Sequence, residues 1–383
     1  MKIVISPDSF KESLDALTVA DSIEIGFKQV FPNADYVKLP MADGGEGTLQ
    51  VLVDATQGQM MKTTVTGPLG EPVEALWGMS ADKRTGFIEM AEASGIERVQ
   101  AEDRNPLITT TYGTGELIIA ALDHGVSQLI IGIGGSATND GGIGMMQALG
   151  VSFKDVEGQE LTYGGSALKC LDYIDVSGLD VRTRHCAIKV ACDVTNPLIG
   201  PEGASKIFGP QKGATPEMVA QLDDALSHYA DVMKSCLKRD VAMLPGAGAA
   251  GGLGAAFRAF LGADMRPGVD LVIEALKLED VIQDASLVIT GEGKLDGQSL
   301  YGKVPIGVAK VAKRYNKPVI AIAGSLSEDV NVVHSHGIDA IFSCLHQVGT
   351  LQEALSNAQS NLIRVSRNIA SSMAIAIAID KAD

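Results

Sequence analysis

Short apolar runs alternate with amphipathic stretches at both ends of the chain. Residues 2–6 (KIVIS) form a short, mostly apolar run, and 36–39, 287–290, 319–323 and 338–342 are similar strand candidates. Runs of this length, bounded by turn residues, predict the five strands of a parallel sheet. Between the first two, Ala16, Ala20, Ile23, Phe27 and Val30 recur at helical spacing, and Pro32 with Asn33 ends the helix. Thr18 and Asp21 resemble a capping box for it. Further helices are predicted over 48–55, 114–124, 145–149 and 304–314. Leu351, Leu355, Leu362, Val365 and Ile369 mark one face of a long closing helix.

The texture changes from Lys62. Residues 63–79 alternate as a hairpin around 67–70, and further strands are predicted at 87–90, 129–131 and 188–191. Thr215-Pro216-Glu217 opens a helix with Thr as N-cap and Pro at the first helical position. The pattern therefore predicts an α/β protein of two domains. One is a flavodoxin/Rossmann-like parallel-sheet domain built from both chain ends, 1–61 plus 265–383. The other, 62–264, is an inserted mixed α/β domain.

Composition narrows the function. The chain has 383 residues, 46% hydrophobic, with 43 glycines and 4% aromatics, which suits an α/β protein with many tight turns. A net charge of −16 argues against nucleic-acid and anionic-membrane partners. Five cysteines, none in C-x-x-C spacing, point to a reduced cytoplasmic chain without a thiol-ligated zinc. The late apolar run 373–379 is too short to span a bilayer.

The stretch 129–144 (LIIGIGGSATNDGGIG) runs from a buried strand into glycines, then into a helix. Gly134, Gly135, Ser136, Thr138 and Asn139 offer backbone and side-chain donors at a helix N-terminus, an anion cradle suited to phosphate. Asp140 does not suit a bare anion cradle, and implies a cation such as Mg²⁺ or a proton acceptor. A second tract, 246–254, places Gly246, Gly248 and Gly251 ahead of another helix.

Five further polar loops stand out, each of which also has an ordinary reading as a turn, a cap or a solvated lysine. Asp8, Ser9 and Lys11 follow the first strand. Asp43 and Glu46 sit among glycines, a pairing that suits Mg²⁺. Asp193, with Asn196, lies just past a buried strand and can accept a hydroxyl proton or hold a metal. Lys212, in a glycine-flanked loop, can hold a transferring phosphoryl group. Glu292, Lys294, Asp296 and Gln298, followed by Lys303, mix acids with cations at another strand end. The Walker A pattern is absent. Two G-x-G-x-x-G/A matches, 132–137 and 246–251, keep a nicotinamide-dependent oxidoreductase on a small hydroxy acid open, and a non-catalytic small-acid sensor is a further alternative.

Taken together, SPDSFKES, PMADGGEGT, TTYGTGELI, GIGGSATNDGG, ACDVTNPL, FGPQKGA, GAGAAGGLG and VITGEGKLDGQ resemble the bacterial glycerate kinases of the type-1 family, in order and along the whole chain. The resemblance implies ATP-dependent phosphorylation of D-glycerate, generally to 2-phosphoglycerate, and a two-domain α/β fold with a cleft. The loops 8–11, 43–47 and 291–298 are then expected to face the glycine loops across it. Lys294 departs from the arginine usual in the family, keeping the charge but losing the fork geometry. A phosphoryl-transfer site needs an anion cradle, a divalent metal and a positioned hydroxyl. Loop 132–142 can supply the first, and Asp43, Glu46, Glu292 or Asp296 the second. Asp193 is expected as the base, with Asp296 or Asp140 as substitutes. Lys11 or Lys303 would meet the substrate carboxylate. A homodimer is the expected assembly.

Overall fold

The computed structural model describes residues 1–45, 47–297 and 303–381; Glu46 and Gln298, both expected in the site, lie outside them. The strands in chain order are β1 (Lys2–Ile5), β2 (Asp35–Lys38), β3 (Gln59–Thr66), β4 (Pro72–Met79), β5 (Thr85–Glu89), β6 (Gln128–Gly132), β7 (Ser152–Lys154), β8 (Tyr173–Asp175), β9 (Ala187–Ala191), β10 (Asp264–Arg266), β11 (Leu287–Leu295), β12 (Val319–Leu326) and β13 (Ala340–Ser343). Contacts divide the chain into an end-built unit, Met1–Asp43 with Val269–Asp383, and an inserted unit, Gly44–Gly268.

The end-built unit carries one sheet in the order β13-β12-β11-β1-β2, parallel throughout. Numbered within the unit this is 2-1-3-4-5, the flavodoxin-like order. Ile3, Val4, Ile5, Val288, Ile289 and Ile322 are fully buried, which is why these strands read as continuous apolar runs. Helix Ala16–Lys28 buries Val19, Ala20, Ile23 and Phe27 against the sheet. Its cap is Asp15, which accepts from Thr18 N at 2.7 Å and from the Thr18 hydroxyl. The expected box at Thr18 and Asp21 lies inside the helix, because the carboxylate one turn earlier reaches the free N–H groups first.

The single closing helix expected from Leu351 onward is two helices, Leu351–Ser356 and Ala358–Asp380. Asn357 interrupts them, its side-chain amide donating to Glu353 O at 2.8 Å and so completing the first helix's end. Thr350 and Glu353 form a reciprocal capping box at its start. The second helix approaches Ala16–Lys28 closely at Gly26, where a Cβ would stand 2.5 Å from Ser366 Cβ. At 23 residues it is long and apolar enough to cross a membrane by length and composition, unlike the run 373–379 taken alone. Leu362, Ile369 and Ala370 of this helix are nonetheless buried in the unit's core.

The inserted unit has a six-stranded sheet in the order β10-β9-β6-β5-β4-β3 and a separate β7–β8 pair. β3, β4 and β5 pair antiparallel, starting with the expected hairpin; β5, β6, β9 and β10 pair parallel. Trp77, Phe87, Phe153, Tyr229 and Phe257 fill its core. The boundaries differ from the expected 61/62 and 264/265. Helix Thr48–Ala55 belongs to the inserted unit because Leu49 and Val53 pack over Gly78 of β4, and Leu49 N donates to Glu89 at 2.8 Å. At the other end, β10 pairs with β9 and so keeps residues up to 268 with the inserted sheet.

Candidate active site

In the end-built unit the strand order reverses between β1 and β11, and ligands in such sheets bind beyond the carboxyl ends at that point. A cavity of about 480 Å³ opens there. Asp8 and Ser9 reach it because Asp8 N donates to Gly291 O at 2.8 Å, carrying the parallel pairing one step past β1. Lys11, Asp43, Glu292, Lys294 and Lys303 complete its polar side, so seven expected residues from three of the five polar loops line one cavity. Phe10, Cys344, Leu345, Leu351, Leu355 and Ala358 form its apolar wall.

Charge in this cavity is unevenly matched. Lys303 Nζ lies 3.2 Å from Glu292 and 4.0 Å from Asp296, and Lys294 Nζ 3.5 Å from Asp296. Asp296 thus braces the two lysines from outside the cavity lining. Asp8 is pushed up to about 7, first by burial, then by Asp43 and, more weakly, Glu292; the Ser9 N–H and Lys11 oppose the rise. A carboxylate held this way favours arrival of a proton or a cation. Among the described residues, no three His, Cys, Asp or Glu side chains converge closely enough to hold a metal ion by themselves.

In the inserted unit, β6 leads into loop 133–142 and helix Ile143–Ala148. Gly134 and Gly135 are exposed, while Ser136, Thr138 and Asn139 are buried. Asp140, expected as a metal ligand or proton acceptor, is engaged with its own loop. It is fully buried and accepts from Thr111 N, Thr111 Oγ1, Gly142 N and Gly144 N at 2.8–3.3 Å. Burial raises its pKa against these donors. With its oxygens engaged, Asp140 ties the loop to Thr111, whose hydroxyl in turn accepts from Met145 N.

Lys212, expected to hold a phosphoryl group, is also buried. The short helix Pro210–Lys212 turns it inward, where Nζ donates to Ser136 Oγ at 2.7 Å and Thr138 O at 2.6 Å. Burial lowers it to about 7, with Asp140 opposing. From behind the loop this side chain holds Ser136 and Thr138 in place. Asn139 likewise faces inward, donating to Ser205 Oγ at 3.0 Å.

The second glycine tract is internal. A Cβ at Gly248 would collide with Pro197 O, and one at Gly251 with Thr138 O. Ala250, Gly251 and Gly252 are all left-handed, which lets this segment press against the back of the first loop. Gly248 and Gly251, expected with Gly246 in a nucleotide cradle, are thus required by close packing. Neither G-x-G run makes a dinucleotide turn: residues 133–142 separate β6 from its helix, and no strand leads directly into 246–251.

Asp193 is exposed just past β9, and its Oδ1 accepts from Gly268 N at 3.1 Å. Asn196 instead donates to Glu202 O at 2.8 Å, bracing its own loop. Sequence reasoning missed Thr111, Gly268 and the apolar wall. Thr111 stood inside a quoted motif, but only the fold pairs it with Asp140.

Comparison with known proteins agrees along the full length. The family model described as Glycerate kinase family matches residues 3–374. A glycerate 2-kinase of Escherichia coli (strain K12) is 61% identical over 375 residues, 98% of either chain. A glycerate kinase of Bacillus subtilis (strain 168) is 58% identical over 376 residues, again 98% of either chain. A crystal structure from Salmonella typhimurium LT2, described as glycerate kinase 2, superposes with a TM-score of 0.91 at 57% identity, covering 98% of this chain and 99% of that one. The chain belongs to the glycerate kinase family.

Proposed function

We propose that this protein transfers the γ-phosphoryl group of ATP to O2 of D-glycerate, as a soluble cytoplasmic enzyme. The cavity of the end-built unit supports this reading best, in a chain 61% identical to a glycerate 2-kinase. It brings the cationic Lys11, Lys294 and Lys303 together with the acids Asp8, Asp43 and Glu292 at a sheet's ligand-binding edge. Lysines suit phosphate oxygens and a carboxylate as point charges.

The acids fit Mg²⁺ by donor type, being hard oxygens. Mg²⁺ takes a few carboxylates, keeps several waters and draws its other ligands from phosphate. Bound there, Mg²⁺ would neutralise charge on the β- and γ-phosphates. In the inserted unit, exposed Gly134 and Gly135 offer peptide groups to an anion, held in place by Lys212 and Asp140 from behind. Asp193, exposed and oriented by Gly268 N, takes the proton from the glycerate hydroxyl.

The test is incubation with ATP, Mg²⁺ and D-glycerate, followed by ³¹P NMR. The expected product is 2-phosphoglycerate, and turnover should stop in excess EDTA. Appearance of the 3-phosphate alone would remove the regiochemistry, and absence of transfer would remove the function.

A further inference from the structure

We propose that the apolar half of the end-built unit's cavity seats the adenine ring of the nucleotide. This rests on the phosphoryl-transfer reading and assigns the base to a surface quite unlike the glycine loops. Glycerate is a small, almost wholly polar acid, whereas the cavity of about 480 Å³ falls in the range of sites that enclose drug-sized molecules. Its wall includes Phe10, Leu345, Leu351 and Leu355. Leu345 is 46% exposed and Leu351 73% exposed, so this apolar surface faces water until something flat and apolar covers it. The same cavity continues to Lys11, Lys294 and Lys303, so a ligand with an apolar ring at one end and anionic groups at the other matches it along its length. The glycine tracts offer no such wall: Gly248 and Gly251 are consumed by internal packing, and the exposed face of the first loop is Gly134 and Gly135.

The experiment uses the whole chain carrying Leu351→Trp as a fluorescent reporter; the natural Trp77 is fully buried in the inserted unit. Titration with ADP should change the emission and saturate. Ala354→Phe, added from the half-buried face of helix Leu351–Ser356 that lines the cavity, should raise the ADP Kd about tenfold or more. Inorganic tripolyphosphate, lacking the base, should bind within about twofold with or without Ala354→Phe, and so should the D-glycerate KM. Thermal melting checks the fold; if Ala354→Phe melts early, Ala354→Leu replaces it with the same expectation of weaker ADP binding. Unchanged ADP affinity, equal losses for ADP and tripolyphosphate, or a loss confined to D-glycerate would each overturn the proposal. The two readings fail separately. Selective weakening of ADP without any phosphoryl transfer by the wild type keeps the base site and loses the kinase, while transfer with ADP unaffected does the reverse.

Discussion

Asp8 and Asp140 are both buried carboxylates in loops that follow parallel strands, one in each unit. Asp8 lines a cavity, accepts one N–H from Ser9, and sits near Asp43 and Glu292. Asp140 is sealed from solvent, accepts four hydrogen bonds and has the buried Lys212 close by. The lysines differ in the same way: Lys303 lines the cavity, while Lys212 is spent on Ser136 and Thr138. Residue type and glycine context are alike in the two places. What separates reactive from architectural is how many donors are already committed and whether a ligand can reach the group.

The sharpest way to extend this contrast is a third carboxylate, Asp193, which lies in the inserted unit and is exposed. Asp193→Asn should lower kcat by about 10²–10⁴ in steady-state assays, with the fold intact, since positioned bases contribute in that range. A kcat within about threefold of wild type would return Asp193 to a turn residue. Next in size, Asp140→Asn should cost about 3 kcal/mol in urea unfolding, because an amide nitrogen would be set against buried N–H donors. Asp8→Asn should change stability by less than about 1 kcal/mol or raise it, since its charge is poorly compensated. Equal losses at the two positions would break the comparison.

Protonation offers a subtler test. The folded pKa of Asp8 lies above its ordinary value of 3.8, near 7, so the folded state holds the proton more tightly and stability should fall as pH rises from about 4 to about 7. Asp140, also raised, acts in the same direction. Lys212 is lowered from 10.5 to about 7, so the unfolded state binds more protons and stability should climb from about pH 7 to 10.5. Denaturant midpoints across this range should show the acid limb flattened by Asp8→Asn and the alkaline limb abolished by Lys212→Met. The most local effect belongs to the cavity wall. Thr350→Ala removes a capping box and should cost about 1 kcal/mol, seen as faster amide exchange over Leu351–Ser356.

These contrasts also explain what was legible beforehand. The three central strands of the end-built sheet were readable because burial on both faces leaves apolar runs, while the edge strands β2 and β13, only partly buried, carry a weaker signal. Seven residues of the cavity were readable because polar glycine loops at strand ends are costly unless used. The inward turn of Lys212 and the four donors on Asp140 were not readable, since they depend on Thr111 and Ser136 arriving from distant segments. The packing of the second glycine tract was not readable, because close approach to Thr138 O selects glycine as strongly as a phosphate would. Helix Thr48–Ala55 was assigned to the wrong side because its apolar face does not announce which sheet it covers.

The register of β1 has a consequence for how the chain is made. Ile3 pairs with Leu287, and Val4 with Val288, while the whole inserted unit lies between them in one continuous run. On a ribosome adding roughly 5–20 residues per second, β1 waits about 15–60 s for its partner strand. During that time the apolar KIVI segment has no β11 to cover it, although β2 can pair on its other side. The inserted unit, being contiguous, can fold first. The nascent end-built sheet would then be the part that depends on chaperones, and translation stalled before residue 287 would leave a folded inserted unit attached to an incomplete sheet.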